Sequence, residues 1–147
     1  MKVWAKQKGF TIVELLIVIV VIGILAAITI VAYSGVQSRA YDNRRSSDVA
    51  SIKKALEMYK ADKGYYPAVC PADNQGCNVQ DLTAQLVPVY ISSVPQDPKQ
   101  PTKIYYYVRG TETANSYAVR VDYDKGACKT GVNVNSGWWN STDFPIC

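Results

Sequence analysis

The chain contains no histidine. That removes the commonest general base and the usual nucleophile–base triads. It has four cysteines, Cys70, Cys77, Cys128 and Cys147, but none in C-x-x-C spacing. Zinc sites are normally built from such pairs or from histidines. No glycine-rich loop occurs that would cradle a phosphate. From Leu15 to Ser38 there is not one charged residue. These absences argue against an enzyme and lead us to expect neither a cofactor nor a catalytic metal.

What the chain does have is unevenly distributed. At 147 residues it is long enough for one globular domain. Its hydrophobic fraction is 48%, but much of that lies in one block near the N-terminus. The run Leu15–Ala32 is apolar on every face. A helix of roughly 20 apolar residues crosses the hydrocarbon core of a bilayer. Lys2, Lys6 and Lys8 precede the run and hold its N-terminal side in the cytoplasm, which places the rest outside. Taking these three lysines from the formal net charge of +4 leaves +1. The basic balance is therefore no nucleic-acid signal, and nucleic acid is not an expected partner. Arg39, Arg44 and Arg45, diluted by Asp42 and Asp48, read as a solvated face.

Beyond the apolar block, Val49, Ile52, Leu56 and Tyr59 recur at intervals of three and four, with Ala55 beside them. That pattern predicts an amphipathic helix with one core-facing stripe. Gly64 and Pro67 mark its end. One nearly continuous helix from Phe10 to about Lys63 follows, ~80 Å long at about 1.5 Å per residue. A loop-rich stretch comes next, with a short helix around Asp81 to Val87. Strands are expected at Lys103–Arg109, at Ser116–Tyr123 and at Cys128–Val134, the first two joined by a hairpin loop at Gly110–Asn115. In the second, Tyr117, Val119, Val121 and Tyr123 share one face, with Arg120 and Asp122 on the other. The fold class is α+β, the second half of the long helix covering an antiparallel sheet of three or four strands.

One charge is out of place. Glu14 lies at the start of the apolar helix, where an acid costs up to about 2.5–3.5 kcal/mol. Such a residue needs a partner. Cleavage between Gly9 and Phe10 would create one: a positive amine on Phe10, one helical turn from Glu14. The string Lys8-Gly9-Phe10-Thr11-Ile12-Val13-Glu14-Leu15, continued by Gly23-Ile24-Leu25-Ala26-Ala27-Ile28 and Ala32-Tyr33, resembles the processing site of type IV pilins and of the related pseudopilins of secretion systems. Gly64-Tyr65-Tyr66-Pro67 and Val94-Pro95-Gln96-Asp97-Pro98 are also similar to that family.

The resemblance implies a pilin-like fold with a leader at 1–9, a transmembrane and filament-core helix at 10–37, and an extracytoplasmic head at 38–147. It implies a prepilin peptidase that cuts after Gly9 and methylates the Phe10 amine. Glu14 then pairs with the Phe10 amine of a neighbouring subunit and sets the filament register. The implied partners are other copies of the chain, membrane lipid before assembly, and an assembly platform with its ATPases. The implied location is the cytoplasmic membrane, single-pass with the head outside, and then a surface filament serving adhesion, motility or DNA uptake. A pseudopilin of a type II-like secretion system is the alternative. A monomeric membrane-anchored binding module is the alternative from another class. An ordinary signal peptide would have a shorter apolar region of ~7–15 residues. Where many family members carry proline, this chain has Val31, so the helix either stays intact or loosens at Gly23 or Gly35.

All four cysteines follow the membrane segment, which reads as a disulfide framework in an oxidising compartment. Four cysteines allow three connectivities. Cys70–Cys77 and Cys128–Cys147 are each local in sequence and are the expected pairs. The second is similar to the C-terminal disulfide loop of many pilins. Within that loop Trp138 and Trp139 either pack on the sheet or contact a glycan or host surface, one of them packed and one exposed. Asn140-Ser141-Thr142 fits a glycosylation acceptor. Asp122, Asp124 and Asp143 are candidate calcium ligands by likeness to a late loop of major pseudopilins, but their spacing is irregular.

Overall fold

In the computed structural model of the chain, residues 9–110, 115–139 and 144–147 are described. The leader residues Met1–Lys8, the tip of the expected hairpin loop at 111–114, and Asn140-Ser141-Thr142 with Asp143 lie outside the described residues. The chain divides into two compact units, Met1–Arg39 and Ala40–Cys147.

Helix α1 spans Ile12–Lys63, with Gly23 and Gly35 inside it. The large apolar side chains described between Phe10 and Val36 are 48% to 83% exposed. An 18-residue window of α1 reaches a mean hydropathy of 3.3, so the helix is long and apolar enough to cross a membrane. The helix ends where Gly64 takes φ +84° and its N–H donates to the Lys60 carbonyl at 2.7 Å. Only glycine enters that left-handed region without a Cβ penalty.

In the second unit the helix is one wall of a core. Val49, Ile52, Ala55, Leu56 and Tyr59 are buried, the stripe expected from their spacing. They face a four-stranded antiparallel sheet in sequence order: β1 (Cys77–Asn78), β2 (Tyr106–Arg109), β3 (Tyr117–Tyr123) and β4 (Gly126–Val132). Tyr107, Tyr117, Val119 and Val121 of the sheet join the core. Between β1 and β2 the chain runs through a 3-10 turn at Val79–Leu82 and the short helix α2 (Thr83–Leu86). Asn78 starts this passage by accepting the Gln80 N–H at 2.9 Å. Val87, extended ahead of Pro88, ends it. Val79, Leu82 and Leu86 plug the core from that side.

Strand limits differ from the expected ones for local reasons. Lys103, Ile104 and Tyr105 fall outside β2; the Tyr105 carbonyl instead accepts the Val79 N–H at 3.0 Å. The last strand stops at Val132 because Asn133 turns to φ +49°. The outer face of the sheet carries a second, smaller core of Val108, Ala118 and Trp138, with Val134 and Trp139 against it. Close packing there is tight. A Cβ on Gly131 would lie 2.8 Å from the Ala118 Cα and would run into the Tyr117 carbonyl.

Candidate functional site

The start of α1 is built by two side chains. Thr11 precedes the helix, and its hydroxyl oxygen accepts the Glu14 N–H at 3.2 Å. In return the Thr11 N–H and its hydroxyl both donate to Glu14 Oε2 at 2.8 Å. This is a reciprocal capping box, which satisfies helix donors that have no partner within the helix. The carboxylate that looked orphaned in an apolar run is held by its own backbone. It also sits at the positive end of the helix dipole. Glu14 was singled out by its charge. Thr11 was not, although the pattern Thr-x-x-Glu before an apolar run signals this arrangement. Gly9 and Phe10 lie directly ahead of the cap and are exposed.

In the second unit the surprise is Arg45. Its spacing continues the buried stripe, four residues before Val49, and it is 0% exposed rather than solvated. Its Nε donates to Asp97 Oδ2 at 2.8 Å and its Nη2 to Asp97 Oδ1 at 3.2 Å. Its Nη1 donates to Asp42 at 2.7 Å and to Asp124 at 3.0 Å. The hydrogen bonds that the guanidinium donates to Asp97 are the largest influence on it and raise its pKa above the ordinary arginine value. Asp97 in turn accepts the Lys99 N–H at 2.8 Å, which closes the turn after Gln96. Thus the Gln96-Asp97-Pro98 string anchors the loop to α1 through a buried, charge-assisted fork.

The two described candidates for calcium are both committed to cations of the chain. The Asp122 carboxylate pairs with Arg120 at 3.1 Å. Asp124 pairs with Arg45, with Lys99 at 2.9 Å and with Lys103 at 3.3 Å. Among the described residues no group of three or more Asp, Glu, Cys or His is placed to hold a metal ion. These residues do not fit a calcium ion.

Disulfides join Cys70 to Cys77 and Cys128 to Cys147. The two closed loops meet on the outer face of the sheet. Trp138 Nε1 donates to Asn74 Oδ1 at 2.9 Å, and the Asn74 N–H donates to the Arg109 carbonyl at 2.8 Å. The Trp139 indole lies over Gly76, where an added Cβ would come within 2.7 Å of Nε1. Trp138 is 5% exposed and Trp139 is half-buried. Both therefore pack, because the segment is a turn and not a strand with alternating faces. Nearby, Arg120 is sandwiched between the rings of Tyr106 and Phe144, 4.6 and 4.2 Å from their centroids.

A family profile described as the prokaryotic N-terminal methylation motif matches residues 4–30. The chain is 30% identical to the type II secretion system core protein G of Vibrio cholerae, over 98% of this chain and 99% of that one. It is 34% identical to the core protein G of Escherichia coli K12, over 67% of this chain and 70% of that one. It is also 40% identical to the fimbrial protein EcpC of Eikenella corrodens, over 60% of this chain and 53% of that one. No solved structure matches it.

An apolar N-terminal helix opening in Thr11 and Glu14, followed by an antiparallel sheet covered by the rest of that helix, is a pilin-like arrangement. The chain belongs to the type IV pilin-like family. Within that family it is similar along nearly its whole length to the core protein G of a type II secretion system. It is a pilin-like filament subunit and not an enzyme.

Proposed function

We propose that this chain is the structural subunit of a short pseudopilus-type filament serving a type II-like secretion system. The observation that carries this reading is the near end-to-end similarity to core protein G. A long surface pilus is the second reading, favoured by the similarity to a fimbrial protein.

The mechanism follows from exposed apolar surface. In the first unit the described large apolar side chains between Phe10 and Val36 each show water about half or more of their surface. At about 25 cal/mol per Å² that surface must be covered. Lipid covers it while the subunit waits in the membrane, and helices of other copies cover it in the filament. A prepilin peptidase removes residues 1–9 and methylates Phe10. The new amine then lies one turn from Glu14, whose carboxylate the Thr11 cap already holds at the helix start. Pairing of that carboxylate with the Phe10 amine of the neighbouring copy fixes the register. An assembly platform and its ATPases supply the work, and the head stays outside the cytoplasm.

The test is intact mass and N-terminal sequence of the protein from its native membrane, with filament sedimentation of the Glu14→Ala variant. A chain beginning at methylated Phe10 is expected. Glu14→Ala should be processed and inserted as usual yet fail to sediment as filament. A retained leader, or normal filaments from Glu14→Ala, would sink the proposal. Long fibres in micrographs together with unimpaired secretion in a deletion strain would move the assignment to a pilus. A monomer that never sediments would mean an anchored binding module.

A further inference from the structure

Lys129 lies in the middle of β4 and is 1% exposed. An ammonium group has three N–H donors. Here three main-chain carbonyls take them: Asn135 at 3.2 Å, Ser136 at 3.1 Å and Trp138 at 2.6 Å. The backbone of the same residue is also engaged. Its N–H donates to the Pro145 carbonyl at 2.9 Å, and its own carbonyl accepts the Cys147 N–H at 3.0 Å. One buried residue thus holds both the turn after β4 and the segment that returns to the Cys128–Cys147 disulfide.

Carbonyl dipoles aimed at one point repel each other unless a positive charge sits at that point. A bound metal cation with several oxygen ligands is one way to supply that charge. Here the charge is tethered. Lys103 repeats the device at the other end of the sheet, where its ammonium donates to the Asp122 and Tyr123 carbonyls at 3.0 Å and to Asp124 Oδ1 at 3.3 Å. Calcium would ask for about six to eight oxygens, whereas Asp122 and Asp124 already answer to Arg120, Arg45, Lys99 and Lys103.

We propose that Lys129 stands in for a structural cation: its ammonium organises the turn at 135–138, and the head keeps its C-terminal loop without calcium. The consequence reaches the outer face of the sheet. Trp138 gives its carbonyl to Lys129, its indole N–H to Asn74 and its ring to Val108 and Ala118. Losing the ammonium should therefore free the tryptophan pair and part the two disulfide loops. The inference stands whether the filament is a pseudopilus or a pilus.

The experiment uses the full chain in detergent micelles. Thermal melting and tryptophan emission are recorded in millimolar calcium and in excess chelator, for the wild type and for Lys129→Met. Methionine keeps an apolar stem and removes the donors and the charge. The wild type should melt at one temperature in both buffers. Lys129→Met should show red-shifted emission, faster protease cleavage between Val132 and Pro145 and a lower melting temperature, none of it rescued by calcium. A wild-type melting temperature that rises several degrees with calcium would overturn the proposal. So would a Lys129→Met protein whose emission and cleavage match the wild type. If that variant does not fold at all, the wild-type comparison of calcium with chelator still decides.

Discussion

Arg45 shows how one side chain can leave its apparent class. It lies beside Asp42, Arg44 and Asp48 in a stretch rich in charge, which reads as solvated helix. Yet its position four residues before Val49 puts it on the buried stripe, and a guanidinium on that stripe must have carboxylates waiting. Asp97 is 52 residues away in the chain. Local pattern does not disclose such a partner. Replacing Arg45 by methionine would leave the Asp97 carboxylate, 1% exposed, without its counter-charge. The expected loss is about 3–5 kcal/mol of head stability, read as a lower urea midpoint at unchanged slope. Adding Asp97→Leu should recover part of that loss, because a buried pair is replaced more cheaply than it is broken. Thr11 makes the complementary point. Its capping role is legible in the sequence, since its partner Glu14 is three residues away.

At the scale of elements, legibility followed the range of the forces. The stripe Val49-Ile52-Leu56-Tyr59 is a local period, and it packs as expected. The ends of strands are set by single residues and by neighbours. Asn133 turns left-handed and stops β4; Lys103 is drawn out of β2 to the carbonyls of Asp122 and Tyr123. The tryptophan pair falls in a turn, so alternation did not apply to it. The disulfide between Cys128 and Cys147 closes a separation of 19 residues. Replacing both by serine should cost about 3 kcal/mol. Thermal melting of the double variant would measure it, with reduced wild type as the comparison. The loss should spare the sheet itself, because β3 and β4 remain paired from Tyr117↔Val132 to Tyr123↔Gly126.

For the whole molecule the most telling feature is a core built on tyrosine. Tyr66, Tyr105, Tyr107 and Tyr117 are each 1% exposed or less. Burial pushes all four hydroxyls well above the usual tyrosine range, and Glu57 adds to this for Tyr66 and Tyr117, as Asp48 does for Tyr105. A group whose pKa is raised by folding lends stability that is complete below its unfolded value. That stability falls as pH climbs from there toward the folded value. With an unfolded tyrosine near pH 10, the head should be insensitive on this account at neutral pH. Above about pH 10 it should lose up to roughly 1.4 kcal/mol per pH unit for each buried tyrosine. Tyrosinate absorbance during an alkaline titration would check this. The four buried hydroxyls should ionise together with unfolding, and stepwise ionisation of an intact head would refute it.

By itself the sequence determined the anchor helix, the placement of its one acid, the amphipathic half that covers a sheet, and the family to which the chain belongs. Each of these rests on local periodicity, on bulk hydrophobicity, or on a motif contained in a few consecutive residues. Only the tertiary structure decided that Arg45 is buried, that Asp122 and Asp124 serve the chain's own cations, and that Lys129 fills a ring of carbonyls. Those outcomes depend on which groups far apart in the chain converge, and a buried charge is tolerable only where its partners meet it.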